Sequence, residues 1–69
     1  MIPGNWIRAQ GDRLLKLNAS ITVIHGRSLV TVQIHCDGRT WESSAVDGDP
    51  VSMSCLVRAV EAWEGPMPV

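Results

Sequence analysis

Apolar and polar residues alternate along much of this chain. From residue 13 the odd positions read Arg13, Leu15, Leu17, Ala19, Ile21 and Val23, and the even positions Leu14, Lys16, Asn18, Ser20, Thr22 and Ile24. A period of two over this length predicts a strand with one buried face, over about 13–25. The stretch LVTVQIHC alternates again, with Val30, Val32, Ile34 and Cys36 as the apolar set, and predicts a strand over about 28–36. RTWESSAV predicts a third over about 39–46, with Trp41 and Ala45 on one side and Thr40, Glu42 and Ser44 on the other.

The residues between these runs set the register. Asp37-Gly38 is the favoured pair for a two-residue type I′ hairpin, and Gly26-Arg27 suits type II′ with glycine first. Counting outward from Asp37-Gly38 sets Cys36 opposite Arg39, Ile34 opposite Trp41 and Val32 opposite Ser43. Counting outward from Gly26-Arg27 sets Val23 opposite Val30 and Ile21 opposite Val32. Both hairpins then place Val30, Val32 and Ile34 on one face, and a slip of one residue in either would turn a strand inside out. Gly11-Asp12 reads as a further turn, making 5–10 a first strand with Trp6 opposite Leu17. The competing reading is a short helix from Asn5, which would carry Gly11 in its interior at a cost of ~1 kcal/mol relative to alanine.

The last segment reads as a helix over about 50–64. Asp49 is a good N-cap, and Pro50 falls where a missing N–H costs nothing. Met53, Leu56, Val57, Val60 and Trp63 then recur at spacings of three and four as one apolar stripe, with Arg58 and Glu61 opposite. Gly65 and Pro66 end it, and a short tail follows. The expected fold is α+β, a single domain over 1–69. It is an antiparallel meander of three or four strands with one C-terminal helix packed on one face.

With 69 residues, 45% hydrophobic and 19% charged, the chain has room for one small globular domain. A net charge of −1 supplies no basic field for phosphates, which argues against a nucleic-acid partner. No charged-then-apolar leader opens the chain and no apolar run approaches ~18 residues, so the expectation is a cytoplasmic protein with reduced thiols and no membrane association.

Candidate chemistry concentrates in IHCDGRTWE, residues 34–42, where His35, Cys36 and Asp37 stand in a row. Neighbours on a strand point to opposite faces, so His35 and Cys36 diverge, and Asp37 belongs to the turn. A zinc site needs about four ligands at suitable spacing, and neither CxxC nor HExxH occurs. No serine sits in a nucleophile elbow, and no glycine-rich phosphate loop is present. The sequence therefore predicts no catalytic residues, no metal and no cofactor.

What remains is a surface. The sheet face away from the helix would carry Lys16, Asn18, Ser20, Thr22, Thr31, Gln33, His35, Thr40, Glu42 and Ser44. Ile24, Leu29 and Val46 would form an apolar cluster at one end of it. Such a cluster reads as a contact site for another protein or a second copy. The candidate partner-binding residues are Ile24, Leu29 and Val46, with Gln33, His35 and Glu42 as polar contacts. The edge strand RTWESSAV could also pair with a partner's strand.

In size, in order of elements and in the ending VTVQIHCDGRTWESSAVDGDPVSMSCLVRAVEAW, about half the chain, the sequence resembles small phage-borne anti-CRISPR proteins that inhibit type I systems. That resemblance implies stoichiometric binding to a host protein or ribonucleoprotein complex in the host cytoplasm, with no catalysis. GDPVSMSCLVRAVEAW is also similar to the helix opening of HicB-type antitoxins, though their Pro-Asp-Leu-Pro-Gly-Cys segment has no counterpart here. This implies an antitoxin-like or homodimeric regulatory protein as the alternative. A third resemblance, to β4α single-strand DNA binders of the transcriptional-cofactor type, lacks the basic face and stacking aromatics such binding requires.

Overall fold

The computed structural model describes residues 3–65. The element order is α1 (Gly4–Leu15), β1 (Ala19–His25), β2 (Leu29–Cys36), β3 (Arg39–Val46) and α2 (Pro50–Ala62). The three strands form one antiparallel sheet in the order β1-β2-β3. α1 packs beneath β1 and α2 beneath β3. Both helices lie on the same face, so the meander and the C-terminal helix stand as expected and a second helix joins them.

The first correction concerns the N-terminal third. The segment expected as a strand over 5–10 is helical, Gly11-Asp12 lies inside α1 instead of forming a turn, and Trp6 does not pair with Leu17. Pro3, extended at the N-cap, accepts backbone bonds from Trp6 (3.1 Å) and Ile7 (3.2 Å), which starts the helix without any side-chain cap. Trp6, Ile7, Gln10, Gly11, Arg13 and Leu14 form its half-buried to buried stripe at spacings of three and four. The glycine that argued against this helix faces β1, and a methyl there would meet Ile21 Cγ2 at an ordinary 3.9 Å. Burying Leu14 alone is worth roughly 1.5–3 kcal/mol, more than the ~1 kcal/mol that Gly11 costs.

The strand expected over 13–25 accordingly begins only at Ala19. A tight turn joins it to α1, with Leu17 N bonded to Leu14 O (2.9 Å) and Asn18 N to Leu15 O (3.1 Å). Asn18 takes φ 57°, a left-handed conformation that asparagine tolerates better than most residues and that ends the helix. Lys16 and Asn18, expected on the outer sheet face, belong to this turn instead.

The β2–β3 register is the expected one, with Cys36 opposite Arg39, Ile34 opposite Trp41 and Val32 opposite Ser43. Asp37 (φ 53°) and Gly38 (φ 74°) both take the positive φ of a type I′ turn. The β1–β2 register differs from expectation by two residues: Val23 faces Val32 and Ile21 faces Ile34. Gly26 N donates to Leu29 O at 2.8 Å, so the loop is Arg27-Ser28 and not Gly26-Arg27. Gly26 is needed for closeness, since a Cβ there would stand 3.3 Å from the Leu29 carbonyl. A shift of two preserves side-chain parity, so the faces survive the correction.

The core is the inner sheet face closed by the helices: Ala19, Val30, Val32, Ile34, Cys36 and Ala45 beneath Leu14, Leu56 and Val60. Trp6, Ile7, Ile21, Val23, Trp41, Met53 and Trp63 pack around it, half-buried. At the start of α2 the Asp49 carboxylate accepts from Val51 N (3.2 Å), the expected cap. The helix ends at Ala62 with Trp63 as its C-cap, so Trp63 flanks the stripe instead of continuing it. The expected tail lies outside the described residues.

Candidate functional site: the open face of the sheet

Among the described residues, strand parity and the two-helix layer leave one sheet face uncovered. It is a grid of rungs read across β1, β2 and β3: Ser20–His35–Thr40, Thr22–Gln33–Glu42, Ile24–Thr31–Ser44, and last Leu29–Val46 beside Gly26. All six candidate contact residues lie on this face. The structure groups Leu29 and Val46 as direct partners, with Ile24 one rung away, and Gln33, Glu42 and His35 on the next rungs along.

The apolar three are each about half exposed: Ile24 46%, Leu29 47% and Val46 48%. Val51, near the N-terminus of α2, is a further exposed apolar residue. The polar residues behave differently, because they bond to one another. Thr31 Oγ1 and Ser44 Oγ lie 2.8 Å apart, Gln33 Nε2 donates to Glu42 Oε2 at 3.2 Å, and His35 Nδ1 lies 3.1 Å from Thr40 Oγ1. The ladder geometry explains why. These three pairs, like Leu29–Val46, are non-hydrogen-bonded ones between β2 and β3, where side chains stand closest. The equivalent β1–β2 pairs on this face are hydrogen-bonded and wider, and the one link there is a diagonal, His35 Nε2 to Thr22 Oγ1 at 3.3 Å. A polar surface whose groups already have partners loses less on being covered than one bonded only to water.

The remaining chemistry is dispersed. Among the described residues, no three His, Cys, Asp or Glu side chains converge as a metal group. His35 is on the open face while Cys36 is buried on the other, its thiol directed at Leu17 O at 3.8 Å. Burial pushes the Cys36 thiol up from its ordinary pKa, and the charge of Asp37 and its hydrogen bond add to the effect. Cys55 is exposed on α2. A thiol reagent at neutral pH should therefore modify Cys55 first. Cys36 should follow only as the pH climbs toward its raised pKa or the fold opens, which mass spectrometry of timed samples would read. Equal labelling rates would refute the buried placement of Cys36.

Two interactions that the sequence does not announce tie the helices together on the opposite side. The Arg13 guanidinium donates to Val60 O (2.9 Å) and Trp63 O (2.8 Å), with Nε donating to Gln10 Oε1 (3.0 Å). Trp6 Nε1 donates to Glu61 Oε1 at 3.1 Å. The only hint in the sequence is an arginine among apolar positions of a helical stripe. Trp41 and Trp63 pack against the core from the inner side and Trp6 from α1, so none offers a stacking platform on the open face. Among the described residues, no helix is long and apolar enough to cross a membrane. Comparison with family models, with curated proteins and with solved structures finds no match to this chain.

Proposed function

We propose that this chain is a small binding module without catalysis of its own, acting by stoichiometric contact with another protein through the open face of its sheet. The observation that carries this reading is the half-exposed Ile24–Leu29–Val46 cluster beside a polar ladder already bonded within itself. Apolar surface supplies the drive to associate, and the satisfied rungs reduce the cost of excluding water from the rest of the face. The biological version proposed is inhibition of a host defence complex of the anti-CRISPR kind, which rests on the resemblance of the chain's C-terminal half. The β4α DNA-binding reading is weakened, because among the described residues a helix comes first and three strands follow it.

Leu29→Asp provides the test. It places a charge in the apolar cluster without touching the core, so the urea midpoint should correspond to a change within about 0.5 kcal/mol. Tagged wild-type protein should recover a multi-subunit ribonucleoprotein stoichiometrically from nuclease-treated lysate of a bacterium carrying a type I CRISPR system, and Leu29→Asp should not. Recovery of a stable dimer alone would move the function to a homodimeric regulator. Recovery of nuclease-sensitive nucleic acid alone would overturn protein contact as the mode of action.

A further inference from the structure

The sheet has two edges, and the chain treats them differently. The Gly26–Leu29 bond closes the β1–β2 hairpin, and antiparallel alternation repeats that bonded geometry at Ile24–Thr31, Thr22–Gln33 and Ser20–His35. The backbone N–H and C=O groups of Ile21, Val23 and His25 therefore point away from β2, toward the free side. The same alternation, anchored by the bond from Asp47 N to Ser28 O (2.9 Å), directs the groups of Thr40, Glu42, Ser44 and Val46 outward on β3.

On β3 one end of that row is closed. Val46 N donates to Ser52 Oγ at 3.0 Å, and Val46 O accepts from Asp49 N at 3.1 Å, so the start of α2 seals it. The rest of β3 carries Arg39 and Glu42. β1 has neither device. Its sequence ASITVIH holds no proline and no Lys, Arg, Asp or Glu, and its register with β2 runs without a bulge. Among the described residues nothing bonds to its outward backbone groups. Sheets ordinarily guard such an edge with charge, proline, a bulge or a covering segment.

We propose that the free edge of β1 is a binding site for an extended segment of another polypeptide, which adds as a fourth strand. The unpaired N–H and C=O row specifies an extended backbone as the ligand, and the helix layer opposes antiparallel pairing with a second copy of this chain. α1 lies beneath β1. Two copies paired antiparallel through β1 would hold their α1 helices about 5 Å apart on one side of the joined sheet, where packed helices need about 8–10 Å. A lone strand brings no helix. Its alternate side chains fall beside Ile21 and Val23, both half-buried apolar residues at the edge, and beside Thr22 and Ile24 on the open face. The fitting segment therefore alternates, with β-branched apolar residues on its helix side.

The test pans a random short-peptide library displayed on phage against the immobilised chain. Enriched peptides, synthesised and added to labelled wild-type protein, are expected to slow amide exchange at Ile21, Val23 and His25. Val23→Pro removes an outward N–H and no bond to β2, and is expected to weaken peptide binding by about tenfold, the worth of roughly one hydrogen bond. Leu29→Asp should leave peptide affinity unchanged, which separates this site from the open face. Enrichment no greater than on the bare support overturns the proposal, as do bound peptides that leave those three amides exchanging as in the free chain.

Discussion

Leu14→Ala is expected to destabilise the fold by about 2–5 kcal/mol, while Leu15→Ala costs less than about 0.5 kcal/mol. Leu14 is 0% exposed and Leu15 is 72% exposed, although they are adjacent and chemically identical. The contrast is a direct readout of the secondary structure of this segment. In a strand continuing the alternation of β1, Leu15 would share the buried face with Ala19 and Ile21, and Leu14 would point out. In α1, Leu14 is the residue that reaches the core shared with Leu56 and Val60. Domains of this length commonly hold about 3–10 kcal/mol in all, at roughly 0.05–0.15 kcal/mol per residue. Leu14→Ala should thus remove a large share of the stability, readable as a shifted urea midpoint with an unchanged slope. The reverse ranking of the two variants would mean that the segment is a strand.

Arg13→Ala is expected to cost about 2–3 kcal/mol, a drop on the order of 10–20 °C in Tm for a domain of this size. Its guanidinium serves two carbonyls at the end of α2: Val60 O, which also accepts from Trp63 N (3.1 Å), and Trp63 O just past the last helical residue. The positive charge also meets the negative end of the helix dipole. Arg13→Lys keeps the charge but replaces a planar fork with a single ammonium, and should recover less than half of the loss. Thermal melts followed by circular dichroism would check both variants. Equal stability of Arg13→Ala and wild type would show that the two helices are held by the core alone.

The C-terminal half was legible because its signals are local. Asp37-Gly38 demands positive φ at both positions, Asp49-Pro50 supplies a cap and a first-turn proline, and each fixes its neighbours without reference to the rest of the chain. The open face followed from parity, which is why all six candidate contact residues lie on it even though the β1–β2 register was read two positions off. The difference arises because Gly26 suits the first position of a type II′ turn, whereas in the fold it provides room beside the Leu29 carbonyl. The N-terminal third was misread because Leu15 and Leu17 extend the strand alternation of β1 by accident of sequence. Two cues pointed the other way: Trp6, Ile7 and Leu14 recur at helical spacing, and Asn18 is a residue that ends helices in the left-handed region. The Arg13 clasp depends on carbonyls some fifty positions away and has no local signature.

That clasp also orders events during synthesis. α1 leaves the ribosome first, yet a helix of twelve residues is marginal in water on its own. It can pack on β1 once the strands have emerged, but its bonds to Val60, Glu61 and Trp63 wait for α2. Until then the part of the inner face that α2 covers stands bare beside the unguarded β1 edge. The clasp that ties the two ends of the domain together therefore forms only after residue 63 is free.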